Sequence, residues 1–206
     1  MKPKPKPVFQ VGEYVKFGNY PQNNGSAKEP IEWLVLEVKD NEALLVSRYG
    51  LVCEHYHHQI TDITWEKCDL RKWLNHKFLK SAFSEKDRQR IKLSEVVNDK
   101  NRQYGTSGGS NTWDHVLCLS FAEAERYFKN NGERQCQPTA HARKQGAFVN
   151  NSNSCCYWWL RSPGLDPHYA SLVCMDGVLY PIGYKVNNGG IAVRPALRLI
   201  WKSVIV

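Results

Sequence analysis

Cys155-Cys-Tyr-Trp-Trp-Leu-Arg-Ser-Pro-Gly164, running on as Leu165-Asp-Pro-His-Tyr-Ala-Ser-Leu-Val-Cys-Met-Asp-Gly-Val-Leu-Tyr-Pro-Ile-Gly-Tyr-Lys-Val-Asn-Asn-Gly-Gly-Ile191, has a different texture from the rest of this chain. It reads as short β-like pieces, Cys156 to Leu160, Ala170 to Val173 and Gly190 to Leu199. Turn signals separate them at Ser162-Pro163-Gly164, Asp176-Gly177 and Asn187-Asn188-Gly189-Gly190. Lys, Glu and Gln supply roughly a quarter of residues 1 to 146, so uniform usage would place about thirteen of them between Ala147 and Leu199. Only Lys185 is there. A buried β-region would also lack long charged side chains.

Upstream, Tyr14 to Phe17, Ile31 to Val38 and Ala43 to Ser47 read as meander strands, and the second carries apolar residues on both faces. Leu70, Trp73, Leu74 and Phe78 recur at helical spacing. Ser84 with Asp87 and Ser120 with Glu123 mark helix starts of the capping-box type, and Asn98 to Asp114 reads as a long loop. Strands, then helices, then strands give an α+β domain, mostly antiparallel, with roughly two to three short helices. The 206 residues suit one domain over residues 11–206, preceded by a basic, Pro-rich tail over residues 1–10.

The chain carries no apolar run long enough to cross a membrane and no apolar leader segment, which predicts a cytoplasmic protein, with display on a virion or cell surface open by another route. In that compartment the seven cysteines are expected to be reduced and structural. The net charge of +8 raises nucleic-acid binding as one function, but the basic residues are scattered in the manner of solvated helix faces.

Cys53, His55, His57 and His58, with Cys68 nearby, have zinc-type side chains, but their spacing matches no common zinc module; we expect no metal and no other cofactor. Cys155-Cys156 has no local base to activate a thiolate, and no phosphate loop, His-Glu-x-x-His or Gly-x-Ser-x-Gly is present. No catalytic residue is expected.

Five strings occur in order: Gly12-Glu-Tyr-Val-Lys-Phe-Gly-Asn-Tyr-Pro-Gln22, Pro30-Ile-Glu-Trp33, Thr64-Trp-Glu-Lys-Cys-Asp-Leu-Arg-Lys-Trp-Leu-Asn75, Trp158-Trp-Leu-Arg-Ser-Pro-Gly164 and Val193-Arg-Pro-Ala-Leu197. Together they resemble a family of bacterial and phage domains of unassigned activity with a C-type-lectin-like fold. Some of its members are the variable proteins of diversity-generating retroelements, whose adenine-directed mutagenesis rewrites a ligand-binding surface. The resemblance implies a diversified region at about residues 155–199. Its ligand-binding positions would be Leu165, Asp166, Pro167, His168, Tyr169, Leu172, Cys174, Asp176, Leu179, Tyr180, Ile182 and Tyr184, joined by Asn187, Asn188 and Ile191.

All these residue types can arise by randomising the adenines of an Asn codon; Met175 and Lys185 cannot. Between them the resemblance places a fixed scaffold that includes Trp158, Trp159, Arg161, Gly177, Val178, Gly183 and Arg194. The implied function is binding of a macromolecular, protein ligand. The calcium-binding Glu-Pro-Asn and Trp-Asn-Asp strings of sugar-binding lectins are absent. The rival classes are an enzyme related to the formylglycine-generating oxidases, which share the architecture and rely on a cysteine pair, and a nucleic-acid-binding protein.

Overall fold

A computed structural model describes residues 9–201. Most of the basic tail, residues 1–8, lies outside the described part. Phe9 already belongs to the packed body, its ring edge-on to Trp201 at 5.0 Å.

The expected meander is present: β1 (Tyr14–Pro21), β2 (Lys28–Lys39) and β3 (Glu42–Ser47) pair antiparallel in sequence order. Ile31, Trp33 and Val35 of β2 are fully buried on alternate positions, and the Trp33 indole N–H donates to the Phe17 carbonyl at 2.7 Å. Leu36 is buried as well, because the β2–β3 register slips between Val35 and Glu37.

The last strand, β12 (Ala196–Ile200), inserts beside β3 and carries β7 (Val116–Leu117) on its other side, so the first sheet runs β1-β2-β3-β12-β7. The second sheet runs β10-β9-β8-β11-β4, from β10 (Leu179–Lys185), β9 (Tyr169–Val173), β8 (Trp158–Pro163), β11 (Ala192–Val193) and β4 (Val52–Cys53). Its β11–β8 pair is parallel and its other pairs are antiparallel. The fold is therefore α+β and mostly antiparallel, as expected.

Gly190 to Leu199, expected as one strand, is two strands in different sheets. Arg194-Pro195 forms the crossing, where Pro195 has no N–H to offer a ladder. Instead its carbonyl accepts from Ser47 N–H, and Val193 accepts from Leu51 N–H. Arg194 is buried at this junction, donating from Nε to the Ser47 carbonyl at 2.9 Å. Its guanidinium lies over the rings of Phe128 at 5.2 Å and Trp158 at 5.1 Å.

The helical segment begins at α1 (Asp69–Trp73), capped by the Cys68 thiol, passes through a π-helical turn at Leu74–Phe78 and continues as α2 (Leu79–Ala82). Both capping boxes form, Ser84 with Asp87 at α3 (Glu85–Arg88) and Ser120 with Glu123 at α4 (Phe121–Tyr127). The short helices α5 (Asn131–Arg134) and α6 (Ala140–Lys144) were not legible in advance, each being about one turn long. Nor was the ribbon of β5 (Ser94–Val96) with β6 (Thr112–Asp114), which claims the end of the expected long loop. Among the described residues no helix is long and apolar enough to cross a membrane.

Candidate functional site

The frame of the C-terminal region is set by backbone contacts that only glycine permits. Gly183 has φ +73°, and a Cβ there would lie 2.1 Å from the Ala170 carbonyl oxygen. Gly177 has φ +84°, and its Cβ would lie 1.8 Å from the Asn131 carbonyl oxygen. Gly177 closes the turn between β9 and β10, where its N–H reaches the Cys174 carbonyl at 2.8 Å, while the Asp176 carboxylate accepts from Val178 N–H at 3.1 Å. Of the expected scaffold, Trp158, Trp159, Arg161 and Arg194 are buried, and so are Leu160, Ala170, Val173, Val186 and Val193 around them.

Upon this frame the expected ligand-binding positions separate into groups. Leu179, Tyr180, Tyr184 and Cys174 gather on the sheet and are half-buried against its core. Tyr157, which is outside the expected positions, completes this group. Its ring meets Tyr184 edge-on at 5.5 Å, and Tyr180 lies 6.2 Å from Tyr184. The adjacent Tyr184 phenol, with burial behind it, pushes the Tyr157 phenol up to about 12. Burial and the neighbouring Asp176 push the Cys174 thiol up to about 11, which keeps it protonated at neutral pH and a poor nucleophile.

A second group is the turn Leu165 to Tyr169. It is pinned by Leu165 N–H to the Ile182 carbonyl, Gly164 N–H to the Tyr169 carbonyl and the Thr106 hydroxyl to the Leu165 carbonyl at 2.9, 2.7 and 2.8 Å. His168 and Tyr169 pack together at 5.0 Å; Asp166 is half-buried and Pro167 exposed. Asn187 and Asn188 form a third group beside His55, whose Nδ1 meets the Asn187 carbonyl at 2.6 Å.

Two expected positions are corrected. Leu172 and Ile191 are fully buried and belong to the core. Leu172 pairs with Trp159 across β8–β9 and with Tyr180 across β9–β10, and the register slips after both pairs. Because Ala170 to Val173 are buried on both faces of β9, strict alternation there fails to identify the outward face. Val178, expected in the scaffold, is exposed at the turn.

The Cys/His group does not assemble. Cys53 is buried with its thiol on the Ala142 carbonyl, and Cys68 is buried as the α1 cap. His57 and His58 instead lie against the Asp69 carboxylate at 2.7 and 3.0 Å. Among the described residues no three His, Cys, Asp or Glu side chains converge on a metal position. All seven cysteines are free thiols. Of the vicinal pair, Cys155 stays with its own turn at the Asn153 carbonyl, while Cys156 is buried against Cys136, whose carbonyl lies 3.3 Å from its sulfur.

No curated protein and no solved structure matches the chain. A family model described as a domain of unknown function, DUF6273, matches residues 40–201, and the chain belongs to that family.

Proposed function

We propose that this chain is a ligand-binding protein, a diversity-generating retroelement variable protein or close relative, that presents the β9–β10 surface to a protein ligand. The observation that carries this reading is the grouping of Tyr180 and Tyr184, on the edge strand β10 of the second sheet, with Tyr157, which immediately precedes β8, each half-buried and half-available. Tyrosine supplies a large, amphipathic contact area with few rotamers to freeze, which is why paratopes concentrate it. The Leu165 to Tyr169 turn extends the same surface with His168, Tyr169, Asp166 and Pro167.

The scaffold beneath is read as C-type-lectin-like. Its support is that the resembling motifs occupy structural positions: Trp158 to Gly164 in and after β8, and Val193 to Leu197 at the crossing between sheets. A binding role over a nucleic-acid role is favoured by charge, since Lys185 is the single cation among residues 165–191.

Two measurements test the proposal. Comparison of this gene across isolates should find substitutions concentrated at Leu165 to Tyr184, within the Asn-codon repertoire, with Trp158, Arg161, Gly183 and Arg194 constant. Substitutions spread evenly along the chain would defeat the diversified reading. In the protein, replacing Tyr169, Tyr180 and Tyr184 together by Ser should cost about 1 kcal/mol of stability per half-buried ring. The same replacement should weaken a partner retrieved by the parent by about thirtyfold or more. A folded triple variant that retains the parent's partner would move the binding face elsewhere.

A further inference from the structure

A cavity of about 200 Å³ lies where the loop after β5 meets the start of α4, the end of β8 at Ser162, and Ser171 of β9 and Pro181 of β10. Its walls are mainly apolar, with Phe121 and Ala122 of α4 facing Pro181 of β10. Its inner end is closed by Ser171 and Asn101, both buried, and Ser162 also lines it. Lys100, Arg102 and Asp99 line it too and are solvent-exposed, which places them at its open side.

This space is held open by a rigid hydrogen-bonded frame. The Asn101 side-chain amide donates to the carbonyls of Pro163, Gly164 and Pro181 at 2.9, 3.2 and 2.8 Å. Its oxygen accepts from the N–H groups of Gln103 and Tyr104 at 3.0 and 3.2 Å. The covering loop is therefore tied to the chain beneath it through three carbonyls that share this one buried amide, while the two bonds to its oxygen shape the loop itself. A preformed space of this kind costs a ligand little reorganisation.

We propose that this cavity is a second binding site, distinct from the tyrosine surface, for a small aromatic monocarboxylate. Size sets the body of the ligand: an apolar cavity of about 150 Å³ accommodates benzene, so the present one takes a single ring with a short arm. Charge sets the end of the arm. Two cations and one carboxylate stand at the opening; Lys100 has no ion-pair partner among the described residues, and Arg102 holds Glu125 only through an exposed contact at 3.2 Å. An anionic arm gains from both cations, whereas a cationic arm meets them with Asp99 alone in its favour. The ring lies between Phe121 and Pro181, and Ser162, whose oxygen accepts from Phe121 N–H at 2.9 Å, keeps its hydroxyl hydrogen available to donate.

The test is a backbone-amide NMR titration of the whole protein with 3-phenylpropionate, its neutral amide and 3-phenylpropylammonium. We expect saturable shifts at Gln103, Phe121 and Ser171 with the carboxylate, and binding about two- to fivefold weaker for the amide, the range that exposed ion pairs give. Ala122→Leu should fill the space and abolish the shifts. Lys100→Gln with Arg102→Gln, both at exposed positions, should lower carboxylate affinity to that of the amide without changing the unfolding temperature. The proposal is overturned by an absence of saturable shifts in the parent, by equal affinity for the ammonium probe, or by shifts confined to Tyr157, Tyr180 and Tyr184.

Discussion

Arg194 shows how one side chain can join two sheets without a carboxylate. Its Nε donates to the Ser47 carbonyl, and its face is taken up by Phe128 and Trp158. It lies in the sequence between Val193 and Pro195, and what it meets in the fold is main-chain carbonyl. Arg194→Ala should cost about 2–4 kcal/mol in denaturant unfolding, because a buried acceptor and two ring faces lose their partner. Arg194→Lys should recover less than half of that loss, since an ammonium lacks the planar group that stacks on both rings while reaching Ser47. Equal stability of the alanine variant and the parent would remove Arg194 from the junction. Glycines offer a matched comparison. Gly183→Ala drives a Cβ to 2.1 Å from the Ala170 oxygen, whereas at Gly12, φ +90°, nothing lies within 4 Å. The first should cost about 1–3 kcal/mol more than the second, read from their unfolding midpoints.

At the level of elements, the start of α4 couples a local signal to a distant one. Ser120 and Glu123 form the capping box read from the sequence, but the same carboxylate also pairs with Arg161 of β8, a contact that helical spacing cannot reveal. Burial alone would raise the Glu123 carboxyl; the Arg161 charge and hydrogen bond and the Ser120 N–H outweigh it and hold it below its ordinary value. A carboxyl depressed in the folded state adds stability above its unfolded value of about 4.3, and that stability is lost as pH falls through the lower folded value. Glu123→Gln should therefore flatten part of the parent's acid destabilisation below about pH 4.3. At neutral pH it should cost about 1–3 kcal/mol, since buried Arg161 keeps its carbonyl partners but loses its counter-charge. An unchanged acid limb in urea unfolding at stepped pH would assign that slope to other carboxylates.

Helix caps were legible because they are encoded within four residues, and the meander because β2 alternates through Ile31, Trp33 and Val35. The outward face of β9–β10 was only partly so. Parity cannot mark an outward face on β9, where Ala170, Ser171, Leu172 and Val173 are all buried, and this is why Leu172 is misplaced; Tyr157 precedes β8 and lies outside any strand whose parity could mark it. The ribbon of β5 and β6 was hidden by its polar, glycine-containing connection, whose shape depends on Asn101 binding strands some sixty to eighty residues later.

Across the whole molecule, the two sheets share one core and are linked by the Val193 to Ala196 crossing, so neither has a separate interior to melt around. Heat unfolding should give one transition with coincident midpoints by tryptophan fluorescence and far-ultraviolet circular dichroism. Two resolved midpoints would mean that the sheets hold independently. The place of β12 has a further consequence, for biosynthesis. It lies between β3 and β7, yet it leaves the ribosome after every other described strand. Until it emerges, β3 presents an unpaired apolar edge, Ala43-Leu44-Leu45-Val46, for the whole time that the intervening residues are being translated. Completion of the first sheet thus waits on its last described strand, and a message that stops short of Ala196 would release a sticky edge for chaperones and proteases to clear.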